Sequence, residues 1–303
     1  MSTILITGGS GMIGTALTRK LLDLGHVVRH LSRTPGDRNR VPAFGWDVAK
    51  GRVDVRALQG VDHIVHLAGA GIVDKRWTEE RVRLLIASRA DSAALLLRVA
   101  TAEGLLPRSF VSAAGIGHHG AITTDKVFTE EDPPGTDTIA RISVAWEDAA
   151  DQWARHTRVV KLRTPIVLSS AGGALGKLAA PVRWGLGAPL GSGRQWMPWV
   201  HIDDLIQVYA HALFNEHMHG AYNVNASDHI RNREFMATLA KALHRPYFLP
   251  AVPGVLLKLL LGESAAVILQ GSRASNAKIR ETGFRFHHDE LSSAIHDLIG
   301  RRT

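Results

Sequence analysis

Three glycines, one arginine and a pair of adjacent histidines are the residues whose types and spacing suggest chemistry. Gly8, Gly11 and Gly14 recur at every third position of TGGSGMIG, directly after the apolar run ILIT. Gly8 suits a tight turn, Gly11 leaves room for backbone to approach a pyrophosphate, and Gly14 lets a following helix pack close to its sheet. That helix would present unpaired N–H groups and partial positive charge to the phosphates. Thr7, Gly8, Gly9, Ser10, Gly11, Met12, Ile13 and Gly14 are therefore expected to contact a dinucleotide.

The second strand selects which dinucleotide. A site for NAD places Asp or Glu near the end of that strand, where it accepts from a ribose 2′-hydroxyl. Here the end reads HLSR, and no carboxylate follows until Asp37. Arg33 offers a planar, permanently charged fork to a 2′-phosphate, and Ser32 a hydroxyl donor. Arg38 and Arg40 add charge nearby. The expectation is NADP(H). Asp47 has two readings, an adenine partner or a turn residue. Leu67, Ala68 and Gly69 end the next strand, where small residues would let the cofactor pass. Arg89 follows one turn from that path, as a ligand or as a surface ion pair.

These residues need a scaffold. ILIT, VVRHL, HIVHLAG, SFVSAAG and RVVKLRTPIVL have strand lengths, and helical patterns at 14–25, 78–104 and 143–156 separate them. Such alternation predicts an α/β fold with a doubly wound parallel sheet. Residues 1–168 are expected to form the nucleotide domain, with late elements from 196–224. Residues 169–195 and 225–303 would form a smaller C-terminal substrate lobe. In GVLLKLLLGESAAVILQG, Lys258, Glu263 and Ser264 interrupt the apolar run, which predicts a buried helix or helix pair and no membrane span.

Composition narrows the classes. The 303 residues include no cysteine, which excludes disulfides, thiolate catalysis and Cys-ligated metals. The net charge of +8 is scattered, without a Lys/Arg-rich cluster. It suits a phosphorylated ligand better than nucleic acid. A strand begins at once, with no basic leader, so the expectation is cytoplasmic, with no membrane partner.

TGGSGMIG followed by HLAG resembles the extended short-chain dehydrogenase/reductase superfamily. LSRTP, the Ser88–Arg89 pair, WEDAA, the run 172–205 and GAYNVNAS are similar to a YfcH-like branch of the NAD-dependent epimerase/dehydratase family. The resemblance implies a Rossmann-type fold, an NADP-type cofactor and the activity of an oxidoreductase or nucleotide-sugar epimerase. It also implies a homodimer formed through the helices at 78–104 and 143–156. Members of the superfamily use a Tyr-x-x-x-Lys pair, in which lysine lowers the tyrosine pKa and tyrosine passes the proton. Tyr209, Tyr222 and Tyr247 are the only tyrosines, and none has a lysine four residues later. The pair's positions fall at Arg141 and Ala145, and the usual serine at Ala114. His118 and His119 in GIGHHG and Ser112 remain as catalytic candidates. His201 with Asp203 and Asp204 reads as a helix cap, with an aspartate as the capping group, and no metal is expected. Trp196 and Trp199 would wall the cleft or pack the lobes together. The alternative is a catalytically silent NADP(H)-binding regulatory or scaffold protein.

Overall fold

Along Thr3–Thr7, Ile4 and Ile6 enter one apolar core while Leu5 enters another, the period-two signature of a strand covered on both faces. In the computed structural model, which describes residues 1–38 and 41–301, that strand (β1) lies near the middle of the main sheet. It is followed by α1 (Met12–Asp23), β2 (Val27–Ser32), β3 (Gly36–Arg38), β4 (Val41–Asp47), β5 (Arg52–Val53) and β6 (His63–His66). Then come α2 (Glu79–Ala102), β7 (Ser109–Gly115), β8 (Val127–Phe128), α3 (Thr138–Asp151), β9 (Arg158–Thr164) and β10 (Ile166–Ser169). The second half holds α4 (Gly173–Arg183), β11 (Trp199–His201), α5 (Ile202–Phe214), β12 (Gly220–Asn223), α6 (Asn232–Ala242) and α7 (Gly254–Leu261). It ends with α8 (Ala266–Leu269), β13 (Arg273–Ala274), α9 (Ala277–Glu281) and α10 (Leu291–Gly300).

The sheet order is β12-β9-β7-β6-β1-β2-β4-β3, with β5 on β4. Every pair from β12 to β4 is parallel, while β3 and β5 run antiparallel to β4. Leu17, Leu21 and Tyr209 of α1 and α5 join Ile4 on one face. Ala93, Leu96 and Ala150 of α2 and α3 join Leu5 on the other. The fold is the doubly wound α/β architecture. From β1 the chain steps to β2 on one side, and from β4 it returns to β6 on the other. That reversal opens a crevice between the C-terminal ends of β1 and β6.

Four local expectations are corrected. Val41–Asp47, which is not among the expected strands, is one, because tertiary pairing with β2 outweighs Pro42 and Gly45. RVVKLRTPIVL is two strands: Pro165 has no N–H to donate, and β10 leaves the main sheet to pair with β11. α3 starts at Thr138, capped by Asp137, whose side chain accepts from Ala140 N at 2.9 Å. The apolar run beginning at Gly254 forms two short helices, and no residue of α7 is buried. No helix among the described residues is long and apolar enough to cross a membrane.

Candidate functional site

The glycine loop closes the floor of the crevice. Gly8 has φ +70°, a region that side chains avoid, and a Cβ there would lie 2.9 Å from the Leu67 carbonyl. A Cβ on Gly14 would come within 2.4 Å of the Gly8 carbonyl oxygen, so the helix start and the loop are in direct contact. At Gly11 the added atom would meet only that oxygen, at 3.3 Å. The Gly11 N–H donates to it at 3.0 Å. α1 then begins with no side-chain cap and no acid in its first turn. Its leading N–H groups are left without a side-chain acceptor, as an anion site requires. Ser10 is exposed, and Met12 and Ile13 are half-buried beside it.

Thr7 corrects an expectation. Its hydroxyl is buried and accepts from Leu67 N and Ala68 N, both at 3.1 Å. The side chain ties the ends of β1 and β6 together instead of facing a ligand.

A histidine that the sequence reading passed over lies under the loop. The His30 ring stands where a Gly9 side chain would go, with Nε2 2.5 Å from that Cβ position. Nε2 is 2.8 Å from Thr18 Oγ1, and that hydroxyl spends its one proton on Gly14 O at 2.7 Å. The ring nitrogen is therefore the donor. Burial lowers the His30 pKa, in keeping with a neutral ring. A cavity of about 440 Å³ flanks the loop, lined by Gly9, Ser10, Thr18, Arg19 and His30 among others. In the sequence His30 was one more residue of an apolar strand, and no spacing marked it.

At the end of β2, Ser32 Oγ accepts from Thr34 N at 3.2 Å, and Arg33 is exposed with no ion pair among the described residues. Arg40 lies outside the described residues. Asp47 accepts from Lys50 N at 3.0 Å, which is the turn reading of that residue. Leu67 and Ala68 are half-buried, and Gly69 is exposed at the crevice rim.

Arg89 is buried, which removes the surface ion-pair reading. Its Nη atoms donate to Leu85 O at 2.9 Å and Ala70 O at 2.8 Å, and its Nε has no partner. The guanidinium lies over Trp146, 4.6 Å from the ring centroid, and beside Gly69, whose added Cβ would be 3.0 Å from Cζ. Burial, then the charge of Arg81, lowers its pKa to about 10. Among the described residues it has no carboxylate partner.

The catalytic candidates sit at the end of β7. Ser112 is buried and donates to Ala113 O at 2.8 Å. His118 Nδ1 is 3.3 Å from Glu147 Oε1, off the line of a hydrogen bond. His119 stacks on Phe128, 4.7 Å between centroids, with Nδ1 3.5 Å from Pro133 O and a buried Nε2 without a partner. A carbonyl oxygen only accepts, so Nδ1 carries the proton and Nε2 the lone pair. Burial, then Arg163, lowers the His119 pKa to about 4. Arg141 is exposed and Ala145 half-buried on α3.

Beneath these histidines is an ion cluster that the sequence did not suggest. Arg163 grips Glu147 with Nε–Oε1 at 2.7 Å and Nη2–Oε2 at 3.1 Å, while Lys161 stands 3.3 Å from Oε2. Burial alone would raise the Glu147 pKa. The contact with His118 and the hydrogen bonds and charge of Arg163 outweigh it, down to about 2.

Among the described residues a second cavity, of about 460 Å³, is lined by Thr124, Asp125, Ser192, Arg194, Arg231 and Gln270 among others. Trp196 lies between Arg231 and Arg273, at 4.0 and 4.8 Å, and its Nε1 donates to Thr124 O at 2.9 Å. Gln195 is buried and donates to Leu190 O and Ile268 O. Gln195 and Trp196 tie the chain around Thr124, Leu190 and Ile268 together, and Trp199 is wholly buried.

The His-x-Asp-Asp cap is real, but its donor and acceptor differ from expectation. His201 Nδ1 accepts from Asp203 N at 3.2 Å and caps α5, while Asp204 accepts from His287 N and His288 N. His201, Asp203, His288 and Asp297 converge within 4.8 Å. A metal on His201 Nε2 would require the ring's one proton on Nδ1, which already faces an N–H. Arg301 moreover occupies both carboxylates, at 2.6 and 2.8 Å. The cluster is an ion-pair clasp.

Comparisons with known proteins agree with this fold. The sequence profile of the NAD-dependent epimerase/dehydratase family matches residues 4–225, and a domain of unknown function, DUF1731, matches 252–298. The chain is 35% identical over 301 residues to the human epimerase family protein SDR39U1, covering 98% of this chain and 99% of the relative. An epimerase family protein of Mycobacterium bovis is 33% identical over 297 residues, covering 97% and 96%. The crystal structure of human SDR39U1 (isoform2) with NADPH superposes with TM-score 0.87 at 32% identity, covering 98% of this chain and 99% of that one. UDP-glucuronic acid 4-epimerase from Bacillus cereus, in complex with UDP-glucuronic acid and NAD, shares the fold at 17% identity, with TM-score 0.80 and 99% and 100% covered.

Proposed function

The chain belongs to the NAD-dependent epimerase/dehydratase family, and from that premise we propose that it binds NADP(H) in the crevice and exchanges hydride with a small hydroxyl- or carbonyl-bearing substrate. The observation that carries the reading is Arg89. A buried guanidinium with an unpartnered Nε and no counter-charge among the described residues, beside Gly69, is costly unless an anion completes it. A dinucleotide phosphate passing over Gly69 would do so. The uncapped start of α1 supports the same ligand, with Gly8, Gly9, Ser10, Gly11, Met12, Ile13 and Gly14 as its cradle. Arg33, exposed and without an ion pair among the described residues, supports the 2′-phosphate form with Ser32. Human SDR39U1 crystallised with NADPH supports it too. Leu67, Ala68 and Gly69 would border the path, and Asp47 would reach adenine with its second oxygen.

When bound, the nicotinamide supplies the hydride chemistry, and the chain's own task is the proton. His119 Nε2 is a buried lone pair with no partner, so it accepts the hydrogen of a substrate hydroxyl. Its pKa near 4 keeps the ring neutral at pH 7, so Nε2 is free to accept a hydrogen bond but is a weak base. His118, held against Glu147, positions the turn that carries His119. Ser112 is engaged with Ala113 O and would have to rotate to touch a substrate.

The test is a fluorescence titration with NADPH and NADH, followed by turnover with a panel of carbonyl compounds. NADPH should bind at least about tenfold more tightly than NADH, because a charge-assisted hydrogen bond contributes roughly 1.5–3 kcal/mol. Arg33→Asp should remove the preference. Binding of neither dinucleotide overturns the cofactor assignment. NADPH binding with no turnover favours the silent regulatory reading, which the missing tyrosine–lysine pair supports, whereas turnover unchanged by His119→Ala removes His119 from the proton step.

A further inference from the structure

An eight-residue helix with no buried residue needs a reason to exist. α7 reads GVLLKLLL, and Val255, Leu259 and Leu260 are 79%, 70% and 61% exposed. Trp184, which ends α4, is 85% exposed, and Phe248 is 76% exposed. The chain segments bearing them are joined. Val252 N donates to Pro189 O at 2.8 Å and Gly191 N to Val252 O at 2.9 Å. A Cβ on Gly187 would lie 3.6 Å from the Tyr247 ring. Single exposed leucines are ordinary, but so many large apolar side chains exposed on two joined segments mark an interaction surface.

The charges around it decide what covers it. Residues 173–202 and 235–262, which build the face, contain no Asp or Glu. Arg183, Arg245 and Lys258 are exposed on them, and Arg76 lies beside Gly262. The acids that border these ranges are engaged, Glu263 with Thr138, Glu234 with Arg231 N and Asp203 with Arg301, and Asp74 pairs with Lys177 of α4. A second copy of the chain would bring cations against cations across a two-fold axis, which opposes self-association. A negatively charged apolar surface meets both requirements.

From this we propose that the face formed by α7, Trp184 and Phe248 docks on an anionic lipid bilayer. The apolar side chains enter the headgroup boundary while Lys258, Arg183 and Arg245 meet lipid phosphates. An exposed tryptophan beside basic residues matches the amphipathic side chains that settle at that depth. The helix is about 12 Å long, well under the roughly 30 Å hydrocarbon core, so it lies on the membrane and does not cross it. This departs from the expectation of no membrane partner, which rested on the lack of a span and of a basic leader. The docking is independent of the hydride chemistry proposed above.

The experiment is flotation of the full chain with vesicles of phosphatidylcholine alone and of phosphatidylcholine mixed with phosphatidylglycerol. The chain should float with the mixed vesicles at low salt, lose that binding as salt rises, and stay behind with the neutral ones. Leu259→Asp with Leu260→Asp should cut the bound fraction by roughly tenfold or more, since each leucine forfeits its burial. Both sites are exposed, so circular dichroism should be unchanged. Lys258→Glu with Arg183→Glu should weaken flotation on the mixed vesicles. Absence of flotation at low salt overturns the proposal, and so does flotation unaffected by the leucine pair. A dimer in sedimentation that the leucine pair dissolves, without flotation, assigns the face to a second copy. Capture of an acidic protein without lipid binding assigns it to a protein partner.

Discussion

Arg163 holds both oxygens of Glu147 inside the protein, from the strand beside the one that leads to the two histidines. Two long polar side chains are thereby taken out of water to brace α3 against β9. Removing one partner leaves the other buried and unpaired, and that cost sets the first expectation. Glu147→Ala should lower unfolding free energy by about 3–5 kcal/mol, and Glu147→Gln by less, because the amide oxygen still accepts. Urea unfolding at neutral pH measures both. The Glu147 carboxyl is depressed in the folded state to about 2, so its contribution is complete above the ordinary glutamate range. It fades as pH falls from about 4.3 toward 2. A wild-type acid limb that survives in Glu147→Gln would refute this assignment.

The glycine loop makes a graded prediction. Gly14→Ala places a Cβ 2.4 Å from a backbone oxygen that cannot swing aside. It should cost about 1–3 kcal/mol of stability and most NADPH affinity. Gly9→Ala drives the His30 ring away and should behave similarly, whereas Gly11→Ala meets one atom at 3.3 Å and should fold normally. Equal melting temperatures for all three would contradict the packing described.

Arg89 separates stability from binding. Arg89→Met keeps much of the volume and removes a buried charge that has no counter-ion among the described residues. Stability should hold or rise. NADPH affinity should drop roughly tenfold or more, the value of one charge-assisted contact. A variant that loses stability and keeps its affinity would place Arg89 in the core and not at the cofactor.

Buried histidines should make the protein acid-sensitive. Burial lowers the pKa of His63 and His119 to about 4 and that of His66 to about 3. In the unfolded chain these groups take up protons near pH 6.5, so between there and pH 4 the unfolded state binds more protons. Stability is full above pH 6.5 and declines as pH falls through that window, by up to about 1.4 kcal/mol per pH unit for each histidine. Melting curves from about pH 7 to pH 5 test this, and a flat profile would exclude it.

The sheet was legible because its cause is local. ILIT, VVRHL and HIVHLAG are apolar over strand lengths, and TGGSGMIG can be continued only by a turn and a helix. Those patterns report burial on two faces and backbone angles, which each residue carries within itself. Val41–Asp47 was illegible for the converse reason. Its proline and glycine argue against a strand, and only the exposed edge of β2 supplies the pairing that makes it one. RVVKLRTPIVL was read as one strand although Pro165 marked its end.

The candidate site divides along the same line. Gly8, Gly11, Gly14 and the lack of a carboxylate after Ser32 were written in the chain, since turn geometry and the sign of a side chain do not depend on distant partners. So was the missing Tyr-x-x-x-Lys pair. That His30 stands under Gly9, that Arg89 is buried with no counter-charge among the described residues, and that Glu147 is gripped by Arg163 all required the fold. So did the exposure of α7, whose leucines look in sequence like any core helix. A side chain's chemistry belongs to the residue, but its solvent, its neighbours and therefore its pKa belong to the residues that folding brings around it.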